Sequence, residues 1–587
     1  MENRWSLNEL YESFDSEGYK ADFETYKNLI TEITVFAADN FKEITDAAKK
    51  LEGYFKLYLE VSKYAETLLS YSYLILAVDV MNETAAKQLD ILEELSTALT
   101  EPDVAALNFI AKIDDLDKTV ASSAFLSEHE FVINEMKEQT KHLLSPAEEL
   151  VIAKMETTGS GAWEKLRDQV TATLGVDITV NGEAKTEPLT VIRNYAHSAD
   201  GELRKNAYES ELKAYEKIDK PVAACLNAIK GEVLTISKMR RYESPLDMTL
   251  KNARMDRETL ESLLSAIKKY LPVFRKYLKH KAKLLGKDSL PFYDLFAPVG
   301  KADMKYTYSE AKDFVYENFS SFSKRLGDFA KRAFDNKWID VYPREGKTGG
   351  AFCSSIHPIN ESRIMLNFGG TFSDVTTIAH ELGHGYHNEC LNGLSYLNCH
   401  YTMPIAETAS TFCETIVINS ALKGASKEEA TAIIDADLTD ATQVIVDIYS
   451  RFLFESKVFE QRANGSASVN ELKEIMLWAQ REAYGDGLDE NLLHPYAWAP
   501  KSHYYYAHSN FYNFPYAYGL LFSKGLYAKY LNEGASFTKD YDNLLAATGR
   551  DTLRGVGLKA GIDVREESFW VSSLKLIEEE IERFTLL

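Results

Sequence analysis

The first 187 residues of the chain are almost free of proline, and this constrains the fold more than any other feature. Only two of the fourteen prolines, Pro102 and Pro146, precede position 188. Within the first 170 residues, apolar side chains recur at three- and four-residue spacing, as in TYKNLITEITVFAADNFKEITDAAKKLEGYF. Proline interrupts helices, and this spacing lines one face of a helix, so the pattern predicts an array of long helices.

The composition indicates a large globular protein. The chain has 587 residues, of which 45% are hydrophobic and 12% are aromatic, which is enough to bury a sizeable core. Its 66 basic and 89 acidic residues give a net charge of −23. A chain this acidic would repel a phosphate backbone, so we expect no nucleic-acid partner.

The sequence gives no sign of secretion or of a membrane span. The N-terminal stretch MENRWSLNELYESFDSEGYK is polar, and the longest apolar run near it, Leu74 to Val78, is far too short to cross a bilayer. The five cysteines are scattered and form no CxxC pair, which is typical of free thiols in a reducing compartment. We therefore expect a cytoplasmic protein without a membrane partner, and nothing in the sequence sets its oligomeric state.

Two stretches depart from the helical pattern. In VDITVNGEAKTEPLTVI, the pair Asn181-Gly182 lies between β-like runs and favours a tight hairpin turn. A second β-like patch, residues 338–368, ends in SRIMLNF directly before TFSDVTTIAHELGHGYHNEC. We predict a mainly α fold with one small sheet beside the helix that carries HELGHGYH, and Ser373 as the N-cap of that helix. The change near residue 190 predicts a helical N-terminal domain over 1–190 and a second domain over 191–587.

The segment HELGHGYH, residues 380–387, has the spacing of a catalytic metal site. Residues four apart on a helix lie about 40° and about 6 Å from each other, so His380 and His384 can offer imidazole nitrogens to one metal ion. Glu381 lies about 100° round from His380, where it can reach a water at the metal without ligating the metal. This is the HExxH arrangement of two zinc ligands and a general base.

The third protein ligand is the residue that distinguishes classes of HExxH protein. The metzincin extension is absent, because His387 and Cys390 stand where its glycine and last histidine would be. Glu389 is on the wrong face of the helix, and His387 lies one turn too far along it. Glu407 follows His384 after twenty-two intervening residues, in what reads as the first turn of the next long helix.

Glu407 would complete a His-His-Glu ligand set, which is known from catalytic zinc sites. Glu414 lies seven residues further on, about two helical turns, and shares the face of Glu407. It either orients a ligand histidine or is an ordinary structural carboxylate.

The region around this motif is similar to a known protein family. The stretch GKTGGAFCSSIHPINESRIMLNFGGTFSDVTTIAHELGHGYH, with Glu407 beyond it, resembles the thimet-oligopeptidase and oligoendopeptidase F family of zinc peptidases. The likeness to oligoendopeptidase F extends from MENRWSL, through RRYESPLDMTL and FYDLFAPV, to KSHYYYAHSNFYNFPYAYGLLFSKGLYAKY. It therefore covers most of the chain.

The resemblance implies a largely helical fold with a deep substrate channel, in which residues 191–587 form the catalytic domain. It implies one zinc ion per chain, held by His380, His384 and Glu407, with Glu381 as the general base. The implied activity is hydrolysis of internal bonds in short peptides, so the expected partners are short peptide substrates.

The segment SHYYYAHSNFYNFPY reads as a cluster of hydrogen-bond donors, because peptide hydrolysis passes through an oxyanion that neutral Tyr or His side chains stabilise. The resemblance assigns this role to a histidine and tyrosines of this region. The matching residues favour His503 and Tyr512, while His508 also fits by proximity. SRIMLNF is predicted to be an edge strand to which an extended peptide substrate can add, and the alternative is a buried strand without substrate contact.

Two other functions are compatible with the same motif. One is an exopeptidase built on the same zinc site, which would need a fixed charge to hold a peptide terminus. The other is a catalytically silent peptide-binding protein with a structural zinc. The intact Glu381 argues against the silent protein, because a structural zinc site has no need of a base.

Overall fold

A computed structural model describes residues 3–300 and 304–587. In this part of the chain most residues are helical and only two small sheets occur, so the mainly α fold expected from the sequence is confirmed. No helix in these two ranges combines the length and the apolar character needed to cross a lipid bilayer. All five cysteines are free thiols, and three of them are buried.

The described residues up to position 172 form nine helices, of which the first two are the longest. They are α1 (Glu17–Asn40), α2 (Ala47–Val78), α3 (Glu83–Thr97), α4 (Thr100–Ala111), α5 (Leu116–Ala121), α6 (Ala124–Glu128), α7 (Glu130–Thr140), α8 (Pro146–Glu156) and α9 (Ser160–Ala172).

The hairpin predicted at Asn181-Gly182 is confirmed. Strands β1 (Gly175–Val180) and β2 (Glu183–Pro188) pair antiparallel, with Val180 opposite Glu183. Asn181 and Gly182 have φ values of 53° and 82°. A two-residue turn with positive φ at both positions matches the twist of the flanking strands, and Asn-Gly adopts it at little cost.

In the described residues between the hairpin and the second sheet there are seven α-helices. They are α10 (Leu189–Asn194), α11 (Gly201–Tyr215), α12 (Asp219–Met239), α13 (Pro245–Asn252), α14 (Arg257–Leu284), α15 (Tyr308–Phe322) and α16 (Lys324–Asp335).

The second sheet has three strands in the order β3-β5-β4: β3 (Ile339–Asp340), β4 (Phe352–Ile356) and β5 (Glu361–Met365). The prediction that SRIMLNF is an edge strand is wrong. Its first four residues, 362–365, belong to β5, which pairs with β3 on one side and β4 on the other. The parallel partner β3 is only two residues long, too short for its periodicity to be visible in the sequence. The two edges of the sheet are therefore β3 and β4, and β4, with five residues, is the longer of them.

The remainder of the chain is again helical. It contains α17 (Phe372–Leu391), α18 (Met403–Ala406), α19 (Thr408–Gly424), α20 (Lys427–Thr442), α21 (Ile448–Asn464), α22 (Val469–Tyr484), α23 (Phe514–Glu533), α24 (Phe537–Leu545), α25 (Leu553–Leu558) and α26 (Glu567–Leu586). A π-helical segment, Gln443–Asp447, joins α20 to α21, and a single 3₁₀ turn, Ser502–Tyr505, precedes α23.

The buried apolar side chains form two clusters. The first contains residues between Tyr11 and Ile133 together with Leu397, and the second contains residues between Leu174 and Phe584. The helix with HELGHGYH belongs to the second cluster. The division into domains near residue 190 stays a prediction.

Candidate metal centre and active site

The helix that carries the histidines, α17, begins one turn after a glycine pair. Its N-cap is Thr371, whose hydroxyl accepts a hydrogen bond from the Asp374 backbone N–H, while the Asp374 carboxylate accepts one from the Thr371 backbone N–H. The predicted N-cap, Ser373, is wrong, because it already lies within the first turn. The reciprocal pair needs an acceptor three residues after the cap, and Asp374 fills that position only for Thr371.

A close approach of two helices brings the metal-site residues together. A side-chain carbon at Gly383 of α17 would lie 2.6 Å from the Ala409 carbonyl oxygen and from Ser410 Cα, both in α19. Only glycine fits at this contact. The contact holds the start of α19 against α17, on the turn that carries His380 and His384.

His380, His384 and Glu407 converge on one point. The two histidine Nε2 atoms are 3.1 Å apart, and each lies 3.4 Å from Glu407 Oε2. Among the described residues, these three form the one group of histidine, cysteine and carboxylate side chains whose donor atoms all lie within 4.8 Å of one another.

Glu407 occupies the junction between α18 and α19 rather than the first turn of α19, where the sequence predicted it. Ser410 donates a hydrogen bond of 2.8 Å to its Oε2 atom. Burial raises the pKa of Glu407, but His384, His380 and Ser410 outweigh burial and lower the pKa to about 2. The side chain is therefore a carboxylate at any pH near neutrality, as a metal ligand must be.

Glu414 contacts the outer nitrogen of His380. Its Oε1 atom lies 2.9 Å from His380 Nδ1, so the histidine presents Nε2 to the point shared with His384 and Glu407. Burial lowers the pKa of His380, but the hydrogen bond to Glu414 and the charges of three nearby carboxylates raise it to about 9. A carboxylate on the far side of a ligand histidine fixes its tautomer and ring orientation.

Glu381 is buried, with 6% of its surface exposed, and it is not a member of the His-His-Glu group. Burial raises its pKa, and the charges of His380 and His384 partly oppose this. Burial is the main cause that raises the pKa of the Cys353 thiol, and the charge of Glu381 raises it further. Since Cys353 is in β4, Glu381 lies close enough to this edge strand for its charge to act there.

The donor cluster contains His503, Tyr512 and a third aromatic residue, Tyr516. The ring of His503 lies 4.9 Å from that of Tyr512 and stacks at 6.0 Å on that of Tyr516. Tyr516 also lines a cavity of about 180 Å³ that includes His380 and Glu407. Burial raises the pKa of Tyr516, and Tyr512 and Glu407 raise it further, so its phenol stays protonated and able to donate.

His508 lies apart from this cluster. Its side chain is 76% exposed, and its Nε2 atom is 3.8 Å from a carboxylate oxygen of Glu156 in α8. Of the two histidines in the segment, only His503 stacks with the tyrosines. Burial, Lys501 and Arg451 lower the pKa of His503 to about 4, so its imidazole is neutral at neutral pH.

Tyr516 was not singled out from the sequence, although a signal was present. It follows Tyr512 by four residues and lies in the first turn of α23. Pro515 at the start of that helix fixes where the turn begins. The third residue of α23 faces the cavity of His380 and Glu407, and the ring of Tyr512 lies 5.6 Å from its ring, in the preceding loop.

Comparison with known proteins gives a consistent result over nearly the whole chain. Residues 194–576 match the model of peptidase family M3, and residues 112–175 match the model described as oligopeptidase F. Oligopeptidase PepF of Bacillus subtilis (strain 168) is 24% identical over 99% of this chain and 86% of its own length. Group B oligopeptidase PepB of Streptococcus agalactiae serotype III (strain NEM316) is 25% identical over 99% of this chain and 97% of its own.

Solved structures share the fold. The crystal structure of oligoendopeptidase-F from Enterococcus faecium superposes with a TM-score of 0.70 at 19% sequence identity, covering 96% of this chain and 98% of that one. The family M3 match contains His380, Glu381, His384 and Glu407.

Proposed function

The chain belongs to peptidase family M3, and from this premise we propose that it is a zinc-dependent oligoendopeptidase that hydrolyses internal bonds of short peptides. The observation that carries the proposal is the convergence of His380, His384 and Glu407 beside the buried Glu381. The oligopeptidase names of the relatives support the choice of peptides as substrates.

The ligand set suits a catalytic zinc ion. Two imidazoles and one carboxylate are ligands that zinc accepts, and three protein ligands leave a coordination position open for chemistry. Glu414 fits the role of the carboxylate that orients His380. When bound, zinc would act as a Lewis acid that polarises the scissile carbonyl and lowers the pKa of water towards about 7.

Glu381 is the proposed general base. It takes a proton from the attacking water and delivers it to the leaving amine. Burial raises the pKa of its carboxyl. This makes the carboxylate a stronger base, and a general base works best when its pKa lies near the operating pH. Its closeness to both the histidines and Cys353 of β4 supports this role, because a substrate beside β4 would lie near it.

His503, Tyr512 and Tyr516 are the proposed donors to the substrate oxyanion. Their rings lie within 6.0 Å of one another, and Tyr516 lines the cavity that contains His380 and Glu407. Neutral donors that are already aimed at the developing negative charge stabilise the transition state without reorganisation.

The edge strand β4 is the proposed docking site for the substrate backbone. Within the described residues, β4 pairs with β5 on one side and with no strand on the other. An extended peptide can add to such an edge through main-chain hydrogen bonds, which tolerate many side chains. This assignment replaces the prediction made for SRIMLNF.

The decisive experiment combines metal content with peptide cleavage. We expect the purified protein to hold one zinc per chain and to cut a quenched-fluorescent peptide at an internal bond. A chelator should remove the activity, and added zinc should restore it. Zinc without cleavage would favour the silent peptide-binding protein, and release of terminal residues alone would favour the exopeptidase. Cytoplasmic location and the absence of a nucleic-acid partner remain predictions from the sequence.

A further inference from the structure

A second cavity, of about 370 Å³, lies on the other side of the segment that borders the metal site. Val444 of the π-helical segment lines the metal-site cavity, and its neighbour Gln443 lines the second one. The second cavity is also lined by Arg451 of α21, by Lys501 and by Tyr504, which lies in the 3₁₀ turn that carries His503. A peptide held in the metal site therefore lies close to this cavity.

The lining of the second cavity is positively charged, although the chain as a whole carries −23. Four cationic side chains line it against two carboxylates, which leaves an excess of two positive charges when the histidines are neutral. The cations are Arg193, Arg204, Arg451 and Lys501, and the carboxylates are Glu211 and Asp447. A cavity with such an excess attracts an anionic ligand.

Three of the four cations are already paired. Arg451 contacts Asp447, and Arg193 lies 3.5 Å from Glu211. Arg204 donates to Asp294 at 2.8 Å. Lys501 differs from them, because its ammonium has neither an ion pair nor a hydrogen bond with any residue that the structure describes.

The environment of Lys501 disfavours an unpaired charge. Burial lowers its pKa, the charge of Arg451 lowers it further and the charge of Asp447 opposes both, so that the pKa falls to about 8. A desolvated ammonium without a counter-ion is costly, and a carboxylate that entered the cavity would supply one. The lysine therefore has a binding capacity that the protein itself does not use.

The charges of this cavity also act on the donor cluster. Lys501 and Arg451 both contribute to the low pKa of His503, behind the larger effect of burial. The charge of Arg451 acts on Tyr516 as well. An anion bound at Lys501 would thus lie beside the side chains that face the scissile bond.

We propose that the second cavity binds a carboxylate of the peptide substrate, with Lys501 as its direct partner. The inference rests on the proposed function and adds a specificity site to it. The carboxylate is either the C-terminus of a short peptide or an acidic side chain near the scissile bond. A fixed charge of this kind would hold the peptide in one register relative to the metal site.

The first test is a binding measurement in the Glu381→Gln background, which does not depend on turnover. One peptide is prepared with a free C-terminal carboxylate, as a C-terminal amide, and as an amide that ends in glutamate. We expect the Kd of the plain amide to be about tenfold or more above that of the free acid, since a charge-assisted contact is lost. Tight binding by the glutamate amide would identify a side-chain carboxylate as the source.

Three further substitutions isolate Lys501. Lys501→Met should bring the ratio of the two Kd values towards one, and Lys501→Arg should preserve most of it. Lys539→Met, which removes an exposed lysine of α24, should leave the ratio as in the parent. A ratio near one in the parent, or an unchanged ratio in Lys501→Met, would overturn the proposal.

The second test reads the register of cleavage in the active protein. If the C-terminal carboxylate is fixed, lengthening a peptide at its N-terminus leaves the cut at the same distance from the C-terminus. Residues added at the C-terminus shift the cut by the same number. If the position of the cut depends on neither end of the peptide while the Kd ratio persists, the site binds a side-chain carboxylate. Carboxylate-dependent binding without any cleavage would count against the peptidase and leave this site standing.

Discussion

Three side chains supply the protein ligands of the proposed zinc site, so each single substitution removes a third of the set. We expect His380→Ala, His384→Ala and Glu407→Ala to lose zinc or to bind it far more weakly. Metal content after dialysis, measured by elemental analysis, checks this. His508→Ala is the matched control, because that histidine is exposed and lies against α8. Full zinc content in Glu407→Ala would move the third ligand to another residue, with Glu414 the first to examine.

Glu381→Gln separates the base from the metal. The amide keeps the shape of the side chain but cannot accept a proton from water. We expect zinc and peptide binding to persist while kcat falls by about 10²–10⁴-fold, the usual contribution of general-base catalysis. Single-turnover kinetics on the zinc-loaded variant measures the effect. A turnover close to that of the parent would exclude Glu381 as the base.

The donor cluster makes a different kinetic prediction. A group that stabilises only the oxyanion affects kcat and leaves KM nearly unchanged. We expect this pattern for His503→Ala, Tyr512→Phe and Tyr516→Phe, with losses of up to about 10²–10³-fold for the dominant donor. Steady-state kinetics on one peptide compares the three. An increase in KM alone would assign that residue to substrate positioning.

Single residues also show how far the sequence could lead. His380, Glu381 and His384 lie within one helical turn, so their arrangement follows from local spacing. Glu407 joins them from the next helices, and the structure brings it within 3.4 Å of both histidines. Lys501 carried no signal, because its cavity is assembled from segments between Arg193 and Tyr504 that are far apart in the sequence.

At the scale of elements, α2 is attached to the catalytic part of the chain through a buried carboxyl. Glu66 Oε1 accepts a hydrogen bond of 2.9 Å from the His357 backbone N–H, just before β5. Burial raises the pKa of Glu66 from 4.5 to about 7, and that hydrogen bond opposes the rise. The folded state therefore holds the proton more tightly than the unfolded state does.

This linkage has a definite sign. The stability associated with Glu66 is fully present below pH 4.5 and is lost as the pH rises through about 7. Glu66→Gln keeps the acceptor but cannot ionise, so it should raise the free energy of unfolding at pH 8 by about 1–2 kcal/mol relative to the parent, and by much less at pH 5. Thermal unfolding at both pH values checks this, with the exposed Glu60→Gln in the same helix as control. An equal effect at both pH values would contradict it.

Elements whose signals are local were predictable, and those fixed by distant partners were not. The β1–β2 hairpin follows from Asn181-Gly182, since the turn geometry is encoded in two residues. The central position of β5 depends on parallel pairing with Ile339 and Asp340, which lie more than twenty residues earlier in the chain. The N-cap of α17 lies two residues before the predicted one. Thr371 and Ser373 both carry a hydroxyl, and only Thr371 has a carboxylate, that of Asp374, three residues later.

At the scale of the whole molecule, the N-terminal helices pack against the sheet next to the proposed active site. The ring of Tyr73 in α2 lies 5.5 Å from that of Phe352 in β4. His129, after α6, lies 2.7 Å from the hydroxyl of Ser395, which follows α17. The first hydrophobic cluster thus packs against the region that carries the edge strand and the metal-site helix.

We expect the N-terminal helices and the sheet to border a channel, and such a channel would restrict the size of the substrate. Neighbouring strands in a sheet are about 4.8 Å apart. An extended peptide therefore needs only the width of one strand to lie along β4. A folded domain of about 100 residues has a radius of gyration near 13 Å and cannot. We therefore expect cleavage of peptides of about five to twenty residues, a span set by about 3.3 Å per extended residue. Native globular proteins should survive incubation with the enzyme, while short fragments of the same proteins, supplied at equal molar cleavage sites, are cut. The comparison is made by mass spectrometry of both digests, and efficient digestion of the native proteins would replace the enclosed channel with an open cleft.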